Sequence, residues 1–166
     1  MLKKSSLEDR SILIKLSRGS WYYEVPLPPY LIPCKKPLEL YEKFSTKDLI
    51  RIDALCIISR DFVVYGRVSL KDVKSGSFKL TDKDDIVIVE EKPELSYKAL
   101  GQILVYKCLL EAVWHAHVRK LLLLRSSPNK ELLPSEQAVV YACKRISDEI
   151  GKPIKIFDLA TNNFIA

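Results

Sequence analysis

From Asp85 onward, short apolar runs alternate with helix-forming segments, and this alternation limits the fold more than any other feature of the chain. "IVIVEEK", residues 86 to 92, reads as a strand that Pro93 stops. Ser96 then caps a helix expected to run to about His117. "KLLLLRSS" is almost wholly apolar before its arginine, the mark of a strand buried on both faces. "SEQAVVYACKRISDEIG" reads as a helix ended by Gly151, and "PIKIFDL" as a last strand. A strand–helix–strand–helix–strand order predicts an α/β fold, a mixed sheet with helices on its faces.

The first half adds one helix and three strands. Ser5 or Ser6 is placed to cap a helix whose Leu7, Ile12, Leu13 and Leu16 lie on one face, with Arg18-Gly19-Ser20 closing it. "WYYEVPLPP" reads as a strand that ends at its prolines. Residues 28 to 47 hold four prolines and read as a loop, with room for a short turn of helix. "DLIRIDALCIIS" is a strong strand. Period two puts Ile50, Ile52, Ala54 and Cys56 on one face, and Leu49, Arg51, Asp53, Leu55 and Ile57 on the other. "DFVVYGRVSL" reads as the next strand, and "KDVKSGSFKLTDKDD" as a polar turn region or hairpin arm around Ser75-Gly76. The length of 166 residues fits a single domain, 1–166.

Charge and cysteine content narrow the class. The net charge of +6 is compatible with a polyanionic partner. The four cysteines show no Cys-x-x-Cys and no pairing with histidine, so neither a zinc nor an iron–sulfur site is expected. Nothing demands disulfides, and a reducing cytoplasm is the expected location. The start lacks a continuous apolar core for a signal peptide, and no run approaches the ~18 apolar residues of a membrane span. His115 and His117 fall at the expected helix end, where they suit its dipole.

The chemistry concentrates at the end of "IVIVEEK". Period two sets Ile86, Ile88, Glu90 and Lys92 on one face, so a carboxylate and an ammonium stand side by side at the strand's C-terminal end. Ligands of open α/β sheets bind at such ends. One carboxylate is a poor site for a hard cation, which takes several oxygens. Asp53 is the best second acid, because an unpaired charge in "IRIDALCII" is costly. A shared metal would offset that cost, and so would an ion pair with Lys92 or Arg51. On the helix that follows, Gln102 and Tyr106 are four apart and share a face.

Asp53, then Glu90-x-Lys92 at a strand end, then Gln102-x-x-x-Tyr106 on a helix, resemble the PD-(D/E)XK nuclease superfamily, and its RecB-like branch in particular. The resemblance covers roughly residues 5 to 125 and implies a restriction-endonuclease-like mixed central sheet flanked by helices. It implies that Asp53, Glu90 and the backbone carbonyl of Glu91 ligate Mg2+ or Mn2+. It implies a water-activating role for Lys92, and that Gln102 and Tyr106 hold the lysine, the metal shell or the nucleic-acid backbone. Glu8 matches the first-helix glutamate that junction-resolving members use. The implied partner is DNA, and related nucleases that make two cuts are often homodimers. No proline precedes Asp53, no histidine stands before it, and the cysteines do not match the branch's iron–sulfur pattern. The lysines at 71, 74, 79 and 83, interleaved with aspartates, read as a solvated arm, with a grip on DNA as the alternative. The alternative is an inactive nuclease-fold module that binds DNA or protein.

Overall fold

A computed structural model of the chain describes residues 6–33 and 36–166. One seven-stranded sheet runs through it, built from β1 (Ser20–Leu27), β2 (Ile50–Ile57), β3 (Val63–Arg67), β4 (Asp85–Lys92), β5 (His117–Arg125), β6 (Ile154–Asp158) and β7 (Asn163–Phe164). The order across it is β3-β1-β2-β4-β5-β6-β7. β1, β2 and β4 form an antiparallel meander, β4, β5 and β6 are parallel, and edge strand β3 runs parallel to β1. The expected α/β class and mixed sheet are present.

The helices are α1 (Arg10–Leu16), α2 (Pro37–Tyr41), α3 (Leu70–Ser75), α4 (Tyr97–Trp114) and α5 (Pro134–Ile150). They divide the apolar residues into two cores. The larger lies between one sheet face, with Leu55, Ile86, Ile88 and Leu123, and helices α2 to α5. On the other face, Leu13 and Leu16 of α1 cover Trp21, Ala54, Cys56, Val87 and Leu122. β5 shows why "LLLL" reads as doubly buried: Leu121 and Leu123 enter the larger core, Leu122 and Leu124 the smaller.

Local chemistry corrects several expectations. Asp9 caps α1, accepting the Ser11 N–H at 2.9 Å, while Ser6 lies in a 3-10 turn, Ser6–Glu8, and Ser5 lies outside the described residues. The region expected as a hairpin arm is helix α3. Ser69 and Asp72 form a reciprocal capping box, and Gly76, at φ 83°, closes it. Helix α4 ends at Trp114 because His115 turns left-handed at φ 58°, so His117 opens β5 and its N–H meets the Asp84 carbonyl. The loop over 28–47 carries α2 and a 3-10 turn, Thr46–Asp48. β7 is a short hairpin return absent from the expected order. Cys56 and Cys143 are buried and Cys108 is exposed; Cys34 lies outside the described residues. Among the described residues no helix is long and apolar enough to cross a membrane.

Gly19 leads into β1 at φ 154°, and a Cβ there would lie 2.2 Å from the Ile57 carbonyl oxygen. Backbone has to move to admit it. Gly19→Ala should therefore cost about 3 kcal/mol, the upper range for overpacking, read as a lowered urea midpoint with an unchanged m-value.

Candidate metal centre

The site forms where two strands part. The β2–β4 ladder pairs Ile57 with Ile86 through Ala54 with Val89 and then stops. The next positions in that register are Asp53 and Glu90. On the other side of β2, the ladder to β1 pairs Tyr23 with Ala54 and Val25 with Ile52, but the step between them is broken by Glu24, at φ 48°. The expected face assignment fails here for that reason. Ile52 joins Leu55 and Ile57 in the larger core, while Ala54 and Cys56 lie in the smaller. Asp53 is the residue at which the alternation inverts. Arg51 does not pair with Asp53 either; its guanidinium donates to the carbonyl oxygens of Glu24 at 2.8 Å and Val68 at 2.9 Å.

The two acids replace the missing ladder bonds. The Asp53 N–H donates to Glu90 Oε1 at 3.0 Å, and the Glu91 N–H donates to Asp53 Oδ2 at 2.8 Å. Each carboxylate thus accepts one bond from the partner strand's backbone, and the two side chains also share a hydrogen bond with each other. Glu90 is only 2% exposed. Burial, and then the negative charge of Asp53, push its carboxyl up to about 8. Burial also raises Asp53, against the opposing hydrogen bond from the Glu91 N–H. At neutral pH such a pair holds a proton between its members, or a cation in the proton's place.

The neighbours supply the rest of a donor set. Ser126 N–H donates to the Lys92 carbonyl, so the backbone of Lys92 serves β5. By alternation Glu91 turns its own N–H and C=O to the β2 side, where its N–H meets Asp53. The two carboxylates and one backbone carbonyl therefore belong to the same fork, a set that suits a hard cation completed by waters. Lys92 is half-buried; it makes no ion pair with either acid, yet its charge lowers the pKa of both. The Tyr106 hydroxyl is raised by burial and then by the charges of Glu90 and Asp53, which places α4 over the pair. One turn earlier, Gln102 keeps Oε1 buried with no hydrogen-bond partner. A neutral amide oxygen in that state costs about 1–3 kcal/mol.

Asp53, Glu90, Lys92 and Tyr106 are thus brought within electrostatic reach of one another, with Gln102 on the same helix face as Tyr106. Glu8 is exposed on the 3-10 turn before α1, and Tyr23 feels its charge. Among the described residues no three His, Cys, Asp or Glu side chains gather around one point, so the set at the fork is two carboxylates and a carbonyl. The lysines at 71, 74, 79 and 83 are exposed, as expected of a solvated arm.

The next parallel strand ends carry a network that the reading of the sequence missed. Lys92, Arg125 and Asp158 stand in one row across β4, β5 and β6. Arg125 donates to Glu136 Oε2 at 2.6 Å and to Asp158 Oδ1 at 3.1 Å. Glu136 also accepts the Leu95 N–H at 3.0 Å, pinning the chain just past Lys92. The signal was present: a lone charge ends each of the buried runs "LLLLR" and "IFD".

Comparison with protein-family models, with curated proteins and with solved structures found no match to this chain.

Proposed function

We propose that this chain is a metal-dependent nuclease that hydrolyses DNA phosphodiester bonds, on a restriction-endonuclease-like sheet. The observation that carries the reading is the buried Asp53–Glu90 pair at the β2–β4 fork, with Lys92 two residues beyond Glu90 on the same strand. The order of β1, β2 and β4 in one sheet, followed by α4 and parallel β5, supports this reading. Asp53, Glu90 and the Glu91 carbonyl would hold Mg2+ or Mn2+. A bound cation of this kind polarises a phosphoryl oxygen and acidifies a bound water. Lys92 would orient that water and offset charge on the phosphate. Tyr106 and Gln102, from α4, would fix the lysine or the phosphate, and the buried Gln102 oxygen would accept from the Lys92 ammonium.

The second reading is an inactive module, and the bonds that both carboxylates accept from backbone N–H groups favour it, since they give the acids a structural purpose. One assay separates the two. Labelled single-stranded, duplex and branched DNA are incubated with the protein, with and without magnesium or manganese. Cation-dependent products support the nuclease. Binding without products at any cation concentration supports the module and refutes the enzyme. Products that persist in excess chelator refute the role of the metal.

A further inference from the structure

We propose that Tyr65, on edge strand β3, is a stacking platform for an unpaired base, so that the substrate is single-stranded or locally unpaired nucleic acid; this rests on the nuclease reading above. The β3–β1 register pairs Val64 with Trp21 and Gly66 with Tyr22, so Tyr65 is the extra residue of a bulge. Gly66 follows at φ 93°, a conformation that glycine adopts freely. Bulges re-aim side chains, and this one lays the Tyr65 ring flat on Tyr22, with centroids 4.9 Å apart and planes 5° from parallel. Tyr22 is fixed from another side by the edge of Phe78. Tyr65 is still 59% exposed, so one ring face rests on a rigid support and the other meets solvent. A cross-strand pair needed only for packing has no use for that open face.

The surroundings fit a phosphate backbone. Residues 60 to 80 hold five cations and two acids. Arg67 is 68% exposed, and its ion pair with Glu24, at 2.8 Å, is of the surface kind that exchanges readily for a phosphate. Tyr22 belongs to the larger core with Ile86 and Ile88, the side of β4 on which Glu90 lies, so platform and acid pair share a sheet face. Two strand spacings across and between two and three residues along give roughly 13 Å from Tyr65 to Asp53, backbone to backbone. That lies within the ~4–16 nucleotides a single-strand site spans. A duplex cannot offer the flat face of a base to such a ring without unstacking it.

The test is fluorescence anisotropy in excess chelator, where cleavage is suppressed, with a labelled oligothymidylate of about twelve nucleotides and its duplex. Tyr65→Leu, which keeps contact with Tyr22, should weaken single-strand binding about tenfold at an unchanged melting temperature, while Tyr65→Phe should bind like wild type. A strand containing 2-aminopurine should be quenched by the wild-type protein, which reads stacking without any variant. Equal affinity of Tyr65→Leu and wild type, equal loss in Tyr65→Phe, no quenching, or no single-strand binding would each overturn the platform. Metal-dependent cutting with no effect of residue 65 sinks the platform and leaves the nuclease. Binding that depends on Tyr65 with no cutting does the reverse.

Discussion

Glu90→Gln is expected to lose metal-dependent cleavage by at least about a hundredfold, a loss that can follow from removing even an outer-shell partner of a ligand, while the protein becomes more stable at pH 8. The two effects have one cause. Glutamine keeps an oxygen where Glu90 Oε1 accepts the Asp53 N–H, so the fork stays closed. It removes the second negative charge that a cation needs, and also the cost of burying that charge beside Asp53, which raises Glu90 to about 8. A carboxyl lifted above its unfolded value of 4.5 binds its proton more tightly in the folded state. Its stabilising contribution is therefore full below about pH 4.5 and is lost as pH rises toward 8. In that window the wild type should lose up to about 1.4 kcal/mol per pH unit for the one proton. Urea melts at half-unit pH intervals read this slope, and in Glu90→Gln this part of it should vanish. Asp53→Ala and Lys92→Ala should also abolish cutting. Full wild-type cutting by Glu90→Gln, Asp53→Ala and Lys92→Ala would refute the assignment.

Glu136→Ala should destabilise the fold by about 3–5 kcal/mol, the cost of stranding a buried charge. Glu136 is 0% exposed and its partner Arg125 1%. The carboxylate accepts four bonds: two from the Arg125 guanidinium and one each from the Leu95 and Leu133 N–H groups. Removing it leaves the buried Leu95 amide and the more exposed Leu133 amide without their acceptor, and Arg125 held by Asp158 and two loop carbonyls. Since Leu95 follows Lys92 by three residues, the strand end that carries the lysine should loosen first. Hydrogen exchange at residues 92 to 96 should therefore accelerate more than exchange in β1. A loss under 1 kcal/mol, against the range expected for a broken buried pair, would show that the network contributes little to folding.

The strands and helices of the second half were legible because each carries its own punctuation. Pro93 stops β4, Ser96 caps α4 and accepts the Ala99 N–H, and Gly151 ends α5 at φ 66°. The candidate acids were legible too, since a lone Asp53 in an apolar strand and a charged end on "IVIV" are both costly without a partner. Helix α3 announced itself through Ser69 and Asp72, a capping box masked by the density of polar residues around Ser75-Gly76. The inversion at Asp53 was not legible. It depends on Glu24, twenty-nine residues earlier, adopting a left-handed φ that its sequence neighbourhood does not demand. Nor could spacing reveal that the acids would hold each other's backbone, because that follows from where two ladders stop.

The most direct test of the account is calorimetric titration of the metal-free protein with manganese at pH 7, in two buffers of different ionisation enthalpy, beside Glu90→Gln. The account predicts one site in the wild type, release of a fraction of a proton approaching one as the ion displaces the hydrogen shared by residues 53 and 90, and no such site in the variant. Identical binding by both proteins, or no heat in either, would contradict it.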